Sequence, residues 1–182
     1  MVATTQQGRF VGKAAVVTGG SRGIGAAVAR RLAAEGAAVA IGYRGNQEAA
    51  DALAAELAAM GGQAIAVQAD VADPGQTAAL IERTVAEFGH LDVVASCAGV
   101  EHFGALETIT PADFDRVCTV NTCGQLFTVQ HAVPHLPAGD PVGMISDHVD
   151  SVAVPRLRPR RRCPGSRWWS RRCAWHRGTR TC

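Results

Sequence analysis

The chain has 182 residues and a mass of 19.0 kDa, with 47% hydrophobic and 19% charged residues. That supports one domain with a sizeable core, excludes two full-sized domains, and is not the composition of a disordered chain. No run of about 18 apolar residues exists, so no membrane-spanning helix is expected. The opening MVATTQQGRF lacks the charged start and apolar stretch of a secretory signal. The expected location is therefore the cytoplasm, and the six Cys are read as free thiols.

The formal net charge of +2 hides a division. Residues 1–150 hold 8 Lys+Arg against 16 Asp+Glu, a net of −8, whereas residues 151–182 hold 10 Arg and no acid. Trp168, Trp169 and Trp175 all fall in the second part, with Cys163, Cys173 and Cys182. An acidic, Ala-rich domain over 1–154 and a basic tail over 155–182 are expected.

KAAVVT (13–18) is a short apolar run closed by glycine, which fits a strand buried on both faces. AAVARRLAAEG (26–36) has helical spacing through Val28 and Leu32, with Gly36 at its end. AAVAIGY (37–43) is a second strand. NQEAADALAAELAAM (46–60) is a second helix, capped by Asn46 and stopped by Gly61-Gly62. AIAVQA (64–69) is a third strand. Asp73 caps a third helix, which Pro74 opens and which runs to about Phe88. LDVVAS (91–96) is a fourth strand. Pro111 opens a helix to about His131, with Phe114, Val117, Val120 and Phe127 as its apolar positions. VGMIS (142–146) is a fifth strand.

Strands and helices alternate, and the strands are almost continuously apolar. Both features argue for an α/β fold with a parallel sheet covered on each face. Such a sheet binds its ligand beyond the carboxyl ends of its strands, so the chemistry belongs just after strands. Thr18-Gly19-Gly20-Ser21-Arg22-Gly23-Ile24-Gly25 joins the first strand to the first helix. Glycines there let a backbone approach a pyrophosphate, and the helix start offers free N–H groups to an anion. A Gly-rich turn is often only a turn, but the strand–turn–helix setting points to nucleotide binding.

Thr18 with the spacing Gly19-x3-Gly23-x-Gly25 resembles the short-chain dehydrogenase/reductase family. Asp70-Val71 after the third strand, Ser96-Cys97-Ala98-Gly99 after the fourth and Val120-Asn121-Thr122 within a helix match the family in order. GVEHFGALETITPADFDRVCTVNTCGQLF is similar to its hydroxynaphthalene-reductase and ketoreductase branch. The resemblance covers about residues 9–155. It implies a Rossmann-like doubly wound sheet, here incomplete at its C-terminal edge.

It also implies a cofactor site. Gly19, Ser21, Arg22, Gly23, Ile24 and Gly25 would hold the pyrophosphate, and Asp70 and Val71 would meet the adenine. Cys97, Ala98 and Gly99 would form the fourth-strand turn. Cys97 stands where most members have Asn, and packing is its plainest role. The second strand ends in Gly42-Tyr43-Arg44, without the acid that would bind a ribose 2′-hydroxyl. Arg44 with Arg22 suits a 2′-phosphate instead, so NADP(H) is favoured over NAD(H).

The family resemblance implies a catalytic tetrad of Asn, Ser, Tyr and Lys. Asn121 and Ser146 match two of them. The positions for the Tyr and Lys hold Arg160 and Pro164, and the chain's single Tyr and single Lys are Tyr43 and Lys13. General acid catalysis is worth about 10²–10⁴-fold, so the chain is expected to be inactive or impaired. His148 could act as an acid, but a surface-loop His is its plainer reading.

The tail RLRPRRRCPGSRWWSRRCAWHRGTRTC has no apolar period and too little core-forming surface to offset its ordering entropy. Three readings stay open: an out-of-frame translation of a GC-rich gene, an Arg/Trp segment for nucleic acid or an acidic surface, and a truncated protein that keeps only cofactor binding. Cys163, Cys173, His176 and Cys182 fit no standard zinc spacing, and no metal is expected. The expected activity is hydride transfer between NADP(H) and a ketone or secondary alcohol. The alternative is a non-enzymatic nucleotide-binding or basic-tail interaction protein. The expected partner is a small carbonyl substrate, not a membrane or nucleic acid. The family's homo-oligomer is in question, because its pairing helices should begin where the tail stands.

Overall fold

Ala14–Thr18 is apolar up to its closing Thr and fully enclosed, so β1 lies at the centre of a sheet with both faces covered. The computed structural model describes residues 8–137. In it β1 leads to α1 (Gly23–Ala34), β2 (Ala38–Tyr43), α2 (Gln47–Ala59), β3 (Ala64–Gln68), α3 (Pro74–Phe88) and β4 (Val93–Ser96). A helical stretch follows as α4 (Pro111–Cys118), a π turn (Thr119–Cys123) and α5 (Gly124–Ala132). The four strands are parallel in the order β3-β2-β1-β4. The chain thus moves outward from β1 to β3 and then crosses back to β4, and β1 and β4 flank the point where strand order reverses.

Alternate residues of β1 face opposite layers. Ala15 and Val17 join Ala29, Leu32, Leu53 and Leu57 beneath α1 and α2. Val16 joins Leu80, Ile81, Val94 and Ala132 beneath α3 and α5. Ile41 and Leu57 have no exposed surface, and truncating either to Ala would cost about 2–5 kcal/mol.

The helix starts follow the sequence. Asn46 Oδ1 accepts from Ala49 N at 3.1 Å, and Asp73 Oδ1 accepts from Gly75 N at 2.8 Å with Pro74 in the first turn. α1 ends at Ala34 with Glu35 as its C-cap, and Gly36 follows with φ of +95°. β4 starts at Val93 rather than at 91, although Leu91 is fully buried. The larger correction is in the helix expected over 111–131. A π turn interrupts it, Phe114 is 63% exposed and Val120 is buried. The π turn inserts a residue, so apolar positions before and after it do not share one face.

Among the described residues no helix is long and apolar enough to cross a membrane. The strand expected at 142–146, the domain boundary at 154 and the tail lie outside the described residues.

Candidate functional site

The carboxyl ends of β1, β2 and β4 open onto a cleft of about 540 Å³. Every residue that the sequence assigned to cofactor binding lines it. The turn after β1 supplies Gly19, Ser21, Arg22, Gly23, Ile24 and Gly25. Tyr43 and Arg44 follow from β2, Asp70 and Val71 from the end of β3, and Cys97, Ala98 and Gly99 from the end of β4.

Backbone bonds stitch these turns together. Gly20 N donates to Gly42 O at 3.0 Å, and Cys97 N donates to Thr18 O at 3.2 Å. The fully buried Thr18 hydroxyl accepts from Ala98 N at 3.2 Å. Sequence reasoning did not assign that bond, although a Thr enclosed at a strand end must find a partner. Two glycines are required by contact. A Cβ on Gly19, where φ is +64°, would lie 2.7 Å from Ala98 Cα. A Cβ on Gly25 would run into the carbonyl of Gly19. The turn therefore folds back tightly on the first helical residues.

α1 starts differently from α2, α3 and α4. Asn46, Asp73 and Thr110 cap those helices with side chains, whereas α1 has no side-chain cap and no acid in its first turn. The amides of Gly23, Ile24 and Gly25 lack intrahelical partners by helix geometry, at the positive end of the dipole and on the cleft. That arrangement suits an anion. Arg22 and Arg44 are exposed and line the same cleft. Tyr43 has its ring in the core beneath α1 and α2, at 6% exposure, so it is chiefly a packing residue.

Asp70 is held within its own turn. Its Oδ1 accepts from Ala72 N at 3.0 Å, and its N–H donates to Gln76 Oε1 at 2.9 Å. The neighbouring Asp73 carboxyl is held below the usual range by the Gln76 side chain first, then by the Gly75 and Gln76 N–H groups. Cys97 is buried in the core cluster with Ala15 and Ala95, which matches a packing role.

Asn121 stands in the π turn behind Val100. Val100 N donates to Asn121 Oδ1 and Asn121 Nδ2 donates to Val100 O, both at 2.9 Å. This two-point clamp fixes the chain as it leaves Gly99, and Val100 itself lines the cleft. The sequence named Asn121 but gave no sign of Val100. Ser146 and His148 lie outside the described residues.

The family model described as short chain dehydrogenase matches residues 13–152. Versicolorin reductase 1 of Aspergillus parasiticus is 46% identical over 149 residues, covering 81% of this chain and 57% of its own. A probable tetrahydroxynaphthalene reductase of Zymoseptoria tritici is 46% identical over 137 residues, covering 75% and 51%. The chain thus spans about half the length of the curated relatives it matches. A short chain dehydrogenase from Burkholderia cenocepacia, crystallised in complex with NADP, superposes with a TM-score of 0.72. It is 44% identical, over 76% of this chain and 56% of that one. A blue fluorescent protein from a metagenomic library, in complex with NADPH, gives a TM-score of 0.71 at 40% identity, over 75% and 56%.

Proposed function

The chain belongs to the short-chain dehydrogenase/reductase family, and from that premise we propose that its cleft binds NADP(H) in preference to NAD(H), as the cofactor half of an oxidoreductase for ketones and secondary alcohols. The observation that carries the reading is the convergence of an uncapped α1 start, two contact-demanding glycines and two exposed arginines on one cleft. The residues fit the cofactor. Gly23, Ile24 and Gly25 would meet the pyrophosphate through N–H groups, and Arg22 and Arg44 would flank a ribose 2′-phosphate. NADP bound in the Burkholderia structure and NADPH in the metagenomic one support that choice. A bound nicotinamide dinucleotide supplies or accepts the hydride.

The remaining chemistry falls to this chain's own residues. Ser146 would polarise the substrate carbonyl, and Asn121 would hold Val100 against the reaction site. The proton relay is the weak point. Tyr43 packs in the core, and Lys13 Nζ donates to Asp92 Oδ1 at 2.8 Å, beside the start of β1 and away from the cleft. Neither can replace a Tyr and Lys beside the substrate, so turnover is expected to fall by about 10²–10⁴-fold. The tetrahydroxynaphthalene named for one relative makes a hydroxylated aromatic ketone the substrate class of choice.

Thermal-shift titration with adenosine 2′,5′-bisphosphate and with 5′-AMP tests the cofactor choice, because the two differ only in the 2′-phosphate. One partly solvated Arg–phosphate bond predicts about tenfold tighter binding of the bisphosphate. Replacing both Arg22 and Arg44 by Ala should remove that preference. Equal affinities for the unaltered chain would refute the NADP(H) assignment.

A further inference from the structure

Nine large apolar side chains stand exposed among the described residues, and four of them fall between 103 and 114. They are Phe103, Leu106, Ile109 and Phe114, with Phe103 and Leu106 at 87% and 83% exposure. So dense an apolar patch marks a contact surface. It borders a hollow of about 440 Å³ with Ile109, Phe114 and Val117 on its apolar wall and Glu101 and Asp113 on its polar side.

The same stretch is acidic. Residues 101–117 hold Glu101, Glu107, Asp113 and Asp115 against Arg116 alone, a net of −3. The Thr110 hydroxyl, then its N–H, hold the Asp113 carboxyl below the usual range, with His102 and Arg116 adding to the effect, so Asp113 is an anion. Among the described residues, the acids that pair with Lys or Arg stand on other elements. Glu35 pairs with Arg9 and Arg31, Glu56 with Arg30, Glu87 with Arg83 and Asp92 with Lys13.

An apolar hollow with an anionic rim suits a cationic segment that carries flat rings. This chain has such a segment in its own sequence. Residues 155–182 hold ten Arg, no acid and all three Trp. We propose that this tail docks on the acidic, apolar face of its own chain. Trp168 and Trp169 would cover Phe103, Phe114 and the hollow, and Arg167, Arg171 and Arg172 would meet Glu101, Glu107 and Asp113. Guanidinium groups match carboxylates by their paired N–H donors and also stack on aromatic faces. A segment too poor in core-forming residues to fold alone can still order against a partner surface.

The chain is long enough for the contact. The helical stretch from Pro111 to Ala132 is about 33 Å long. The thirty residues 138–167 separate the last described residue from Trp168 and can span about 100 Å when extended. Tethering also sets an effective concentration on the order of millimolar, so modest contacts suffice. The proposal does not depend on the cofactor reading.

Indole fluorescence of the full chain tests it, because residues 1–154 contain no Trp. Acrylamide, a neutral quencher, reads how far the indoles are enclosed. With two of three indoles covered, quenching at low salt should be about threefold weaker than with the tail released. Two double variants alter the face at exposed positions. Phe103→Ser with Phe114→Ser removes the rings, and Glu101→Lys with Glu107→Lys reverses the rim. Both should restore full quenching while far-ultraviolet circular dichroism stays that of the parent. Salt should act likewise on the unaltered chain, since screening shortens from about 10 Å at 0.1 M to about 3 Å at 1 M. Full quenching of the unaltered chain at low salt overturns the proposal. So does protection that survives in the charge-reversed variant, whose fold rests on none of the altered side chains. Protection that grows with protein concentration overturns it too, because the tail then lies on another copy. Protection that appears only with a single-stranded oligonucleotide overturns it in favour of a nucleic-acid partner.

Discussion

Asn121→Ala separates a structural clamp from a purely chemical role. The side chain makes two bonds to one residue, accepting from Val100 N and donating to Val100 O at 2.9 Å each. Both are part-buried, at the point where the chain leaves Gly99 beyond the end of β4. Truncation to Ala leaves a backbone donor and an acceptor without these partners, each worth about 1–2 kcal/mol when only partly rehydrated. The expected loss is about 2–4 kcal/mol. At a urea slope of about 2 kcal/mol per molar, the unfolding midpoint should fall by about 1–2 M. Asn121→Asp is the informative partner. It keeps the acceptor for Val100 N but sets a carboxylate oxygen against Val100 O, so it should destabilise by a comparable amount. Urea unfolding followed by circular dichroism reads both, and an NADPH titration of each variant reports whether the cleft wall has moved. A change below about 0.5 kcal/mol in both variants, the range of ordinary surface substitutions, would refute the clamp.

Other consequences follow from the same geometry. Gly25→Ala should abolish dinucleotide binding, because its Cβ meets the Gly19 carbonyl, whereas Gly23→Ala has open space and carries only the strain of φ +55°, about 1 kcal/mol. Parallel thermal-shift titrations of the two variants check this, and equal losses would contradict it. At the other end of β1, burial pushes the Asp92 carboxyl up, but the Lys13 bond, the Ala14 N–H and the charges of Lys13 and His90 outweigh it and hold the carboxyl low. A lowered folded value gives stability that is present above the unfolded carboxylate range, near pH 4, and is lost as pH falls through the folded value. Asp92→Asn should therefore be much less stable than the parent at pH 6, with the gap closing towards pH 3 in urea titrations. A gap independent of pH would show that the carboxylate charge is not what matters.

Much of this was legible because local signals agreed with the tertiary structure. Asn46 and Asp73-Pro74 marked helix starts that the fold uses, and Gly36 and Gly61 marked ends, each at positive φ. The apolar runs gave all four described strands, and their glycine-rich ends gave the cleft. The misreadings arise where geometry depends on contacts distant in sequence. The π turn at Thr119–Cys123 has no apolar signature, yet it sets where Asn121 falls relative to Val100, twenty-one residues earlier. Tyr43 lines the cleft at the end of β2, and its packing in the core beneath α1 and α2 is the part that the sequence did not show.

The most direct test is a titration of the full chain with NADPH and then NADH, with ketone turnover followed in the same cell. The account predicts saturable NADPH binding, weaker NADH binding, and turnover at least about 10²-fold below that of a family member with its Tyr and Lys. Absence of saturable NADPH binding, or turnover at that member's rate, would contradict it.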